Sequence, residues 1–384
     1  MLRPFFSVCS VLASFSVIAC GSDTAHHTSK PGATSPGPSD EPDGAAAPVE
    51  GCGIHTSFEG DTQCLPVPDP AVGMQLHMGP TDYDDPDVIN AVGPDGKPIW
   101  LMYPGDERTQ NYHIYTPNEE GIYYFVQHYR MRPGSHHMIM QLSDDTTTPE
   151  GFTAQFGSIV QSIGGTQHIT EDLPPGGIVA PEDKGLGRFV EPHRALDVQL
   201  HFYNATENVR LREAWVNLMY KPKEEVTVNL GMLGGFSAIN VPPHTTTQVG
   251  NSCKAEDFIP AAASVRIVTI FGHAHTHNTR FAVYKDAADG TSELVYDEYE
   301  GAEAPTFTYN SIVQNPVPDP STRTTGGKSG LLTLAPGEQL RYTCDINNDT
   351  DYTFHGANEV NTDEMCNLFG SVQGLGFPCF KLNR

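Results

Sequence analysis

Apolar and polar residues alternate along many short runs of this chain, and few stretches repeat with a helical period. In residues 196–203, every second position from Leu196 to Phe202 is apolar, and the positions between them are polar. This period of two is typical of a strand with one buried face. Pro, Gly, Asn and Asp separate the runs, which are 112–116, 121–130, 137–142, 196–203, 213–220, 226–230, 264–271, 279–284, 330–334 and 339–344.

This spacing predicts an all-β fold of antiparallel strands packed as sandwiches. The length favours two such domains, which we predict at residues 51–224 and 225–384. The polar connector 221–225 lies at their boundary.

The first residues have the pattern of an export signal. A short basic start at Arg3 precedes an apolar run, 5–18, that is too short to span a bilayer. The run ends at a Cys20 that resembles the lipidated cysteine of bacterial lipoproteins. An ordinary signal peptide cleaved nearby is the alternative. We therefore predict a signal peptide at 1–19, lipidation of Cys20 and a flexible tether at 20–50, rich in Ser, Pro, Gly and Ala.

Export as a lipoprotein predicts a location at the outer membrane or cell surface, or in the periplasm. The lipid on Cys20 is then the only contact with a membrane. The formal net charge of −25 argues against nucleic acid as a partner, because like charges repel.

Six of the eight cysteines remain once Cys9, in the signal peptide, and Cys20 are set aside. An even number in an exported chain predicts disulfides, although fifteen pairings are possible. Proximity favours Cys52–Cys64 as one of them.

Histidines are concentrated in three places. His136 and His137 begin a strand, where neighbouring side chains point to opposite faces. Both can bind one metal ion only if the backbone bulges, which Pro133-Gly134 favours; otherwise one ring is a ligand and the other packs. His201 lies on the polar face of 196–203, as a ligand or as a surface histidine.

The third group is His273-Ala274-His275-Thr276-His277. Histidines two apart share a strand face, so His273 and His275 can chelate one ion. A shift of two positions would make His275 and His277 the ligands, and all three together would form a zinc site.

A methionine in residues 362–368 changes the metal that these histidines suggest. Alternation puts Asp363, Met365 and Asn367 on one face, with Cys366 and Leu368 on the other. Thioether sulfur favours Cu(I), and imidazole binds copper in either oxidation state. The combination predicts redox copper chemistry, with a core role for Met365 as the alternative.

These strings resemble the type II copper, ascorbate-dependent monooxygenases, which include peptidylglycine α-hydroxylating monooxygenase and dopamine β-monooxygenase. The matching strings are His-His-Met at 136–138, Gln-Leu-His-Phe-Tyr at 199–203, His-Ala-His at 273–275 and Asp-Glu-Met-Cys-Asn-Leu at 363–368. They occur in the family's order, and the resemblance covers roughly residues 90–384.

The resemblance implies two jelly-roll sandwiches that face each other across a solvent-filled cleft, each with one copper ion. The first copper would store an electron and the second would bind O2, with ascorbate or a similar donor reducing both. The implied ligands are His136, His137 and His201 for the first ion, and His273, His275 and Met365 for the second. The resemblance also implies the disulfides Cys344–Cys366 and Cys253–Cys379.

The chain departs from the peptide-amidating members at the implied substrate site. Phe271-Gly272 precedes the His-x-His pair where those members carry Arg, and Phe369 stands in place of their Tyr, whereas Asn367 is kept as a substrate-binding residue. We therefore expect hydroxylation of a C–H bond in another small molecule or peptide. A copper-binding lipoprotein without catalysis and a hydrolytic zinc protein are the alternatives.

Overall fold

The computed structural model describes residues 52–93, 95–153, 159–258, 264–299, 304–357, 360, 362–374 and 377–379, without the side chains of 159–161, 258 and 377–379. The predicted signal peptide, Cys20 and the tether lie outside this range. All described residues belong to one compact unit, Pro48–Arg384. Among them, no helix is both long enough and apolar enough to cross a bilayer.

The predicted all-β class is confirmed, since 50% of the structure is strand and 6% is helix. The strands of the N-terminal half are β1 (Gly73–Met78), β2 (Leu101–Met102), β3 (Glu107–Tyr115), β4 (Ile122–Met131), β5 (Ser135–Ser143), β6 (Gly151–Thr153), β7 (Ile159–Thr166), β8 (Thr170–Leu173), β9 (Leu186–Val190), β10 (Ala195–Tyr203), β11 (Arg210–Leu211) and β12 (Ala214–Lys221).

The C-terminal half begins after the connector. Its strands are β13 (Val228–Phe236), β14 (Asn240–Val241), β15 (Thr245–Lys254), β16 (Val265–Ala274), β17 (Asn278–Asp286), β18 (Ser292–Glu298), β19 (Phe307–Thr308), β20 (Gly326–Gly327), β21 (Leu332–Leu334), β22 (Gln339–Asn348), β23 (Phe354–His355), β24 (Cys366–Gln373) and β25 (Phe377–Cys379). Helices are short: α1 (Pro86–Ile89), α2 (Ala255–Phe258) and four 3₁₀ turns at Asp61–Gln63, Pro175–Gly177, Pro181–Asp183 and Lys223–Glu225.

One long sheet passes through both halves, in the order β1-β12-β4-β9-β13-β24-β16-β19. The halves join where β9 pairs in parallel with β13, Val228 lying opposite Leu186. Each half also has a five-stranded antiparallel sheet, β6-β3-β10-β5-β7 in the first and β15-β22-β17-β18-β20 in the second.

Each half buries its own apolar core between its part of the long sheet and its five-stranded sheet. Leu76 and Tyr129 meet Leu200 in the first core, and Ile270 and Leu368 meet Tyr342 in the second. Burial of apolar area stabilises such layers at about 25 cal/mol per Å². The polar faces of the same strands are not part of these apolar cores and can carry the histidines.

All ten predicted runs overlap strands, namely β3, β4, β5, β10, β12, β13, β16, β17, β21 and β22. Strand β15 was missed because its sequence, Thr-Thr-Thr-Gln-Val-Gly-Asn-Ser-Cys-Lys, lacks apolar alternation. It lies at the end of its sheet and pairs only with β22, so that little of it reaches the core.

Two predicted disulfides are confirmed, Cys52–Cys64 and Cys344–Cys366. Cys253 is disulfide-bonded too. The side chain of Cys379, its expected partner, lies outside the described residues.

Candidate metal centre

The N-terminal histidines sit at a β-bulge. Strand β5 pairs with β10 so that His137 lies opposite His201 and Ser135 lies opposite Phe202. His136 is therefore an extra residue with no partner on β10, and the bulge brings its ring beside that of His137, with ring centroids 5.3 Å apart. A bulge at this point was the condition for both rings to bind one ion, and Pro133-Gly134 favoured it; Gly134 has φ of 95°.

Side-chain oxygens accept hydrogen bonds from the rings of His137 and His201 and so fix the orientation of each ring. Nε2 of His201 donates to Oε1 of Glu107 at 2.9 Å, and Nε2 of His137 donates to Oε1 of Gln199 at 3.1 Å. Glu107 Oε1 also accepts the backbone N–H of Val360, from the C-terminal half, at 3.1 Å. Because these oxygens accept, both rings carry their proton on Nε2 and keep the lone pair on Nδ1.

The C-terminal histidines lie where β16 runs into a turn. His273 pairs with Asn367 and Ala274 with Cys366, so the same register leads His275 towards Met365. The buried carboxylate of Glu364 fastens this turn, because its Oε2 accepts the backbone N–H groups of His275 at 3.0 Å and of Met365 at 3.2 Å.

A side-chain hydrogen bond orients the thioether of Met365. The amide nitrogen of Asn367 donates to Sδ of Met365 at 3.5 Å, which places both side chains on one face, as alternation predicts. Cys366, between them, points into the core and is bonded to Cys344. Asn367, which the resemblance implied as a substrate contact, here contacts the sulfur and is 7% exposed.

The two histidine groups meet each other, whereas the resemblance implied a solvent-filled cleft between them. Ring centroids are 4.9 Å apart for His137 and His273, and 5.4 Å for His136 and His273. His136 also lies 5.0 Å from His201 and 5.8 Å from His275. These five rings form what we call the histidine cluster, and four of them are at most 3% exposed.

Each ring of the cluster has one buried nitrogen without a hydrogen-bond partner. These atoms are Nε2 of His136, Nδ1 of His137, Nδ1 of His201, Nε2 of His273 and Nε2 of His275. The opposite nitrogen of His273 donates to Gln167, and that of His275 donates to the carbonyl of Asp363. Leaving a buried polar atom without a hydrogen bond costs about 1–3 kcal/mol. Binding of a ligand would remove this cost, so these five nitrogens are candidates for ligand-binding atoms.

Burial and the neighbouring rings lower the pKa of four of these histidines, which favours their neutral form. Burial, followed by the neighbouring rings, holds the pKa of His136 and of His273 well below the usual value. Burial lowers the pKa of His137 to about 4 and that of His201 to about 2. Neutral imidazole is the form that binds metal. The ligand-atom positions of His136, His137 and His273 lie within 4.8 Å of one another, close enough to hold one ion.

His277 lies apart from the cluster. Its backbone N–H donates to Glu364 at 2.7 Å, and its ring packs on Phe354 with centroids 4.4 Å apart. Asn278 N–H donates to the carbonyl of His275, which closes the turn between them. The structure thus brings His273 and His275 to the cluster, and leaves His277 supporting the turn.

Gln167, which sequence reasoning missed, contacts the cluster from the other half. Its Oε1 accepts from Nδ1 of His273 at 2.6 Å, and its amide nitrogen donates to the carbonyl of Gly272. Glu107 and Glu364 were missed as well. An acidic residue four before Asn111, or one beside Met365, has no local pattern that marks it as a support for histidine.

Aromatic rings continue the face that carries His273. Phe271 pairs with Phe369 across β16 and β24, with centroids 5.4 Å apart, and Phe369 lies 6.3 Å from His273. Phe236 packs on Phe369 at 5.6 Å and is 40% exposed. The face beside the cluster is therefore apolar, and it reaches solvent at Phe236.

No protein-family model matches the chain, and neither does any curated protein.

Proposed function

We propose that this protein is a copper-dependent monooxygenase that hydroxylates a C–H bond, with O2 and ascorbate or another one-electron donor as co-substrates. In the proposed arrangement, His136, His137 and His201 hold one copper ion, and His273, His275 and Met365 hold a second. His136, His137 and His273, which lie close enough to hold one ion together, are thus divided between the two ions. The proposal includes a jelly-roll topology for each half. It also includes export as a lipoprotein anchored through Cys20.

The observation that carries the proposal is the convergence of five unpartnered imidazole nitrogens, together with a methionine, Met365, at the turn that carries His275. A zinc site has no need of a thioether, whereas Cu(I) favours soft sulfur together with imidazole. The residues fit copper on donor chemistry. Burial favours the neutral form of His136, His137, His201 and His273. Gln199, Glu107, Gln167 and the Asp363 carbonyl orient four of the five rings. Two ions of this kind would supply the electrons needed to activate O2.

The residues around the cluster have separate tasks. Gln199 and Glu107 fix the tautomers of His137 and His201, so that Nδ1 of each faces the cluster. Glu364 holds His275 and Met365 at one turn, and Asn367 orients the sulfur. Burial of the rings limits the access of water, which protects reactive species from side reactions.

The apolar face of Phe271, Phe369 and Phe236 supports an apolar substrate. A carboxylate on this face would lose its hydration and gain no cationic partner from these three side chains. We therefore propose that the hydroxylated carbon belongs to a hydrocarbon or aromatic group, and that Phe236 marks its entrance.

Oxygen uptake by the purified, copper-loaded protein with ascorbate tests the proposal. A panel of alkyl and aromatic compounds is compared with matched carboxylates, and the product is identified by mass spectrometry after reaction in ¹⁸O2. We expect the product formed from an apolar compound to contain one ¹⁸O atom, and we expect His273→Ala to form no product. Copper binding without hydroxylation of any compound would favour a copper-binding protein without catalysis.

A further inference from the structure

A single side chain of the N-terminal half determines how the C-terminal ligand His273 is presented. Gln167 follows the last residue of β7, Thr166, and is 5% exposed. It contacts His273 on the opposite half, 106 residues further along the chain, at 2.6 Å. No residue of β16 itself makes this contact to the ring.

The orientation of the Gln167 amide is fixed by its second contact. Its nitrogen donates to the Gly272 carbonyl, which can only accept, so its oxygen must be the atom that faces His273. An amide oxygen also only accepts, so Nδ1 of His273 carries the proton. The lone pair is then on Nε2, the atom that lies buried without a partner in the cluster.

The contact between Gln167 and His273 is one of two neighbouring contacts between the halves. The next residue, His168, contacts the Ala304 carbonyl through Nε2 at 3.1 Å. Gln167 and His168 thus both cross to the C-terminal half, but only Gln167 touches a ring of the cluster. This difference separates two roles: docking of the halves, and orientation of a metal ligand.

We infer that Gln167 is a positioning residue for the metal centre: it fixes His273 with Nε2 free to bind the ion, and it ties this ligand to the N-terminal half. The inference rests on the proposed function, since it takes the cluster to be a metal site. Assembly of the C-terminal ligand set then depends on a residue outside the C-terminal half. Outer contacts of this kind typically change metal affinity about 10- to 100-fold.

The test is a copper titration of the full chain against a competing chelator, with EPR spectra of each form. Gln167→Met removes both hydrogen bonds while keeping the length of the side chain, and Gln167→Glu keeps an oxygen that accepts from Nδ1. His168→Ala is the matched control, because it removes a contact between the halves without touching the cluster.

We expect Gln167→Met to weaken the copper held by His273 about 10- to 100-fold and to change its EPR signal. The copper of His136, His137 and His201 should keep its affinity, Gln167→Glu should recover most of the loss, and His168→Ala should resemble the wild type. If the wild type binds copper and Gln167→Met leaves both affinities and spectra unchanged, the inference is wrong while the proposed function stands. A wild type that binds no copper overturns both.

Discussion

The two proposed ligand sets of the cluster are built differently. His137 and His201 lie opposite each other on neighbouring strands of one sheet, and Gln199 and Glu107, from the same sheet, orient them. His273 and His275 instead lie at a strand end and a turn. Their supports come from distant segments, Gln167 in the other half and Glu364 beside Met365.

This difference indicates which of the two sets can form without contacts from the other half of the protein. The N-terminal set needs only the pairing of β3, β10 and β5, which their own apolar core stabilises. The C-terminal set needs β16, the segment around Met365 and the other half to be in place together. We therefore expect the first set to tolerate disturbance of its surroundings, and the second to be sensitive to it.

Loss of a ligand gives the largest expected effect. His137→Ala and His273→Ala should each remove one copper ion, and each should lower hydroxylation by at least about 100-fold, since changes in outer contacts alone reach that size. Metal analysis and oxygen uptake measure the two effects. His55→Ala, at an exposed histidine, is the control. Equal copper content in all three variants would mean that the cluster does not bind the metal.

Removing a support should separate the two sets. Glu364→Ala frees the turn that carries His275 and Met365, so copper at the second set should weaken about 10- to 100-fold. Glu107→Ala should weaken the first set, by a smaller factor, because pairing of β5 with β10 still holds His137 and His201. Chelator competition measures both affinities, and an equal loss in the two variants would contradict the proposed difference.

The disulfides Cys52–Cys64 and Cys344–Cys366 provide a milder comparison. Replacing either pair by alanines should cost about 2–4 kcal/mol of unfolding free energy, as measured by denaturant titration. Only loss of Cys344–Cys366 should also alter the copper EPR spectrum, because Cys366 adjoins Met365. Loss of Cys52–Cys64 should leave it unchanged, and a spectral change of equal size there would speak against the assigned positions.

The smallest effect is expected at the aromatic face. Phe369→Tyr adds one hydroxyl to a ring whose centroid lies 6.3 Å from that of His273, and it removes no contact to the proposed metal ligands. Copper content should stay the same, while KM for an apolar substrate should rise about 3- to 10-fold through the cost of burying the hydroxyl. Steady-state kinetics with metal analysis measures this, and a loss of copper would mean that Phe369 supports the metal centre directly.

Local pattern was sufficient for much of the fold and for the choice of the histidines and the methionine as candidate site residues. Alternation located β10 and put Met365 with Asn367, and Pro133-Gly134 indicated the bulge at His136. Local pattern could not predict which distant segments come together. His137 lies beside His273 because of the way in which β9 and β13 join the halves. Gln167 was missed for the same reason, since its role arises from packing and leaves no periodic signal.

X-ray absorption at the copper edge, on the reduced, copper-loaded protein, tests the central claim most directly. The account predicts copper bound by imidazole nitrogens, with a sulfur ligand that is present in the wild type and absent from Met365→Ala. A spectrum without sulfur, or one that Met365→Ala leaves unchanged, would contradict the proposed copper centre.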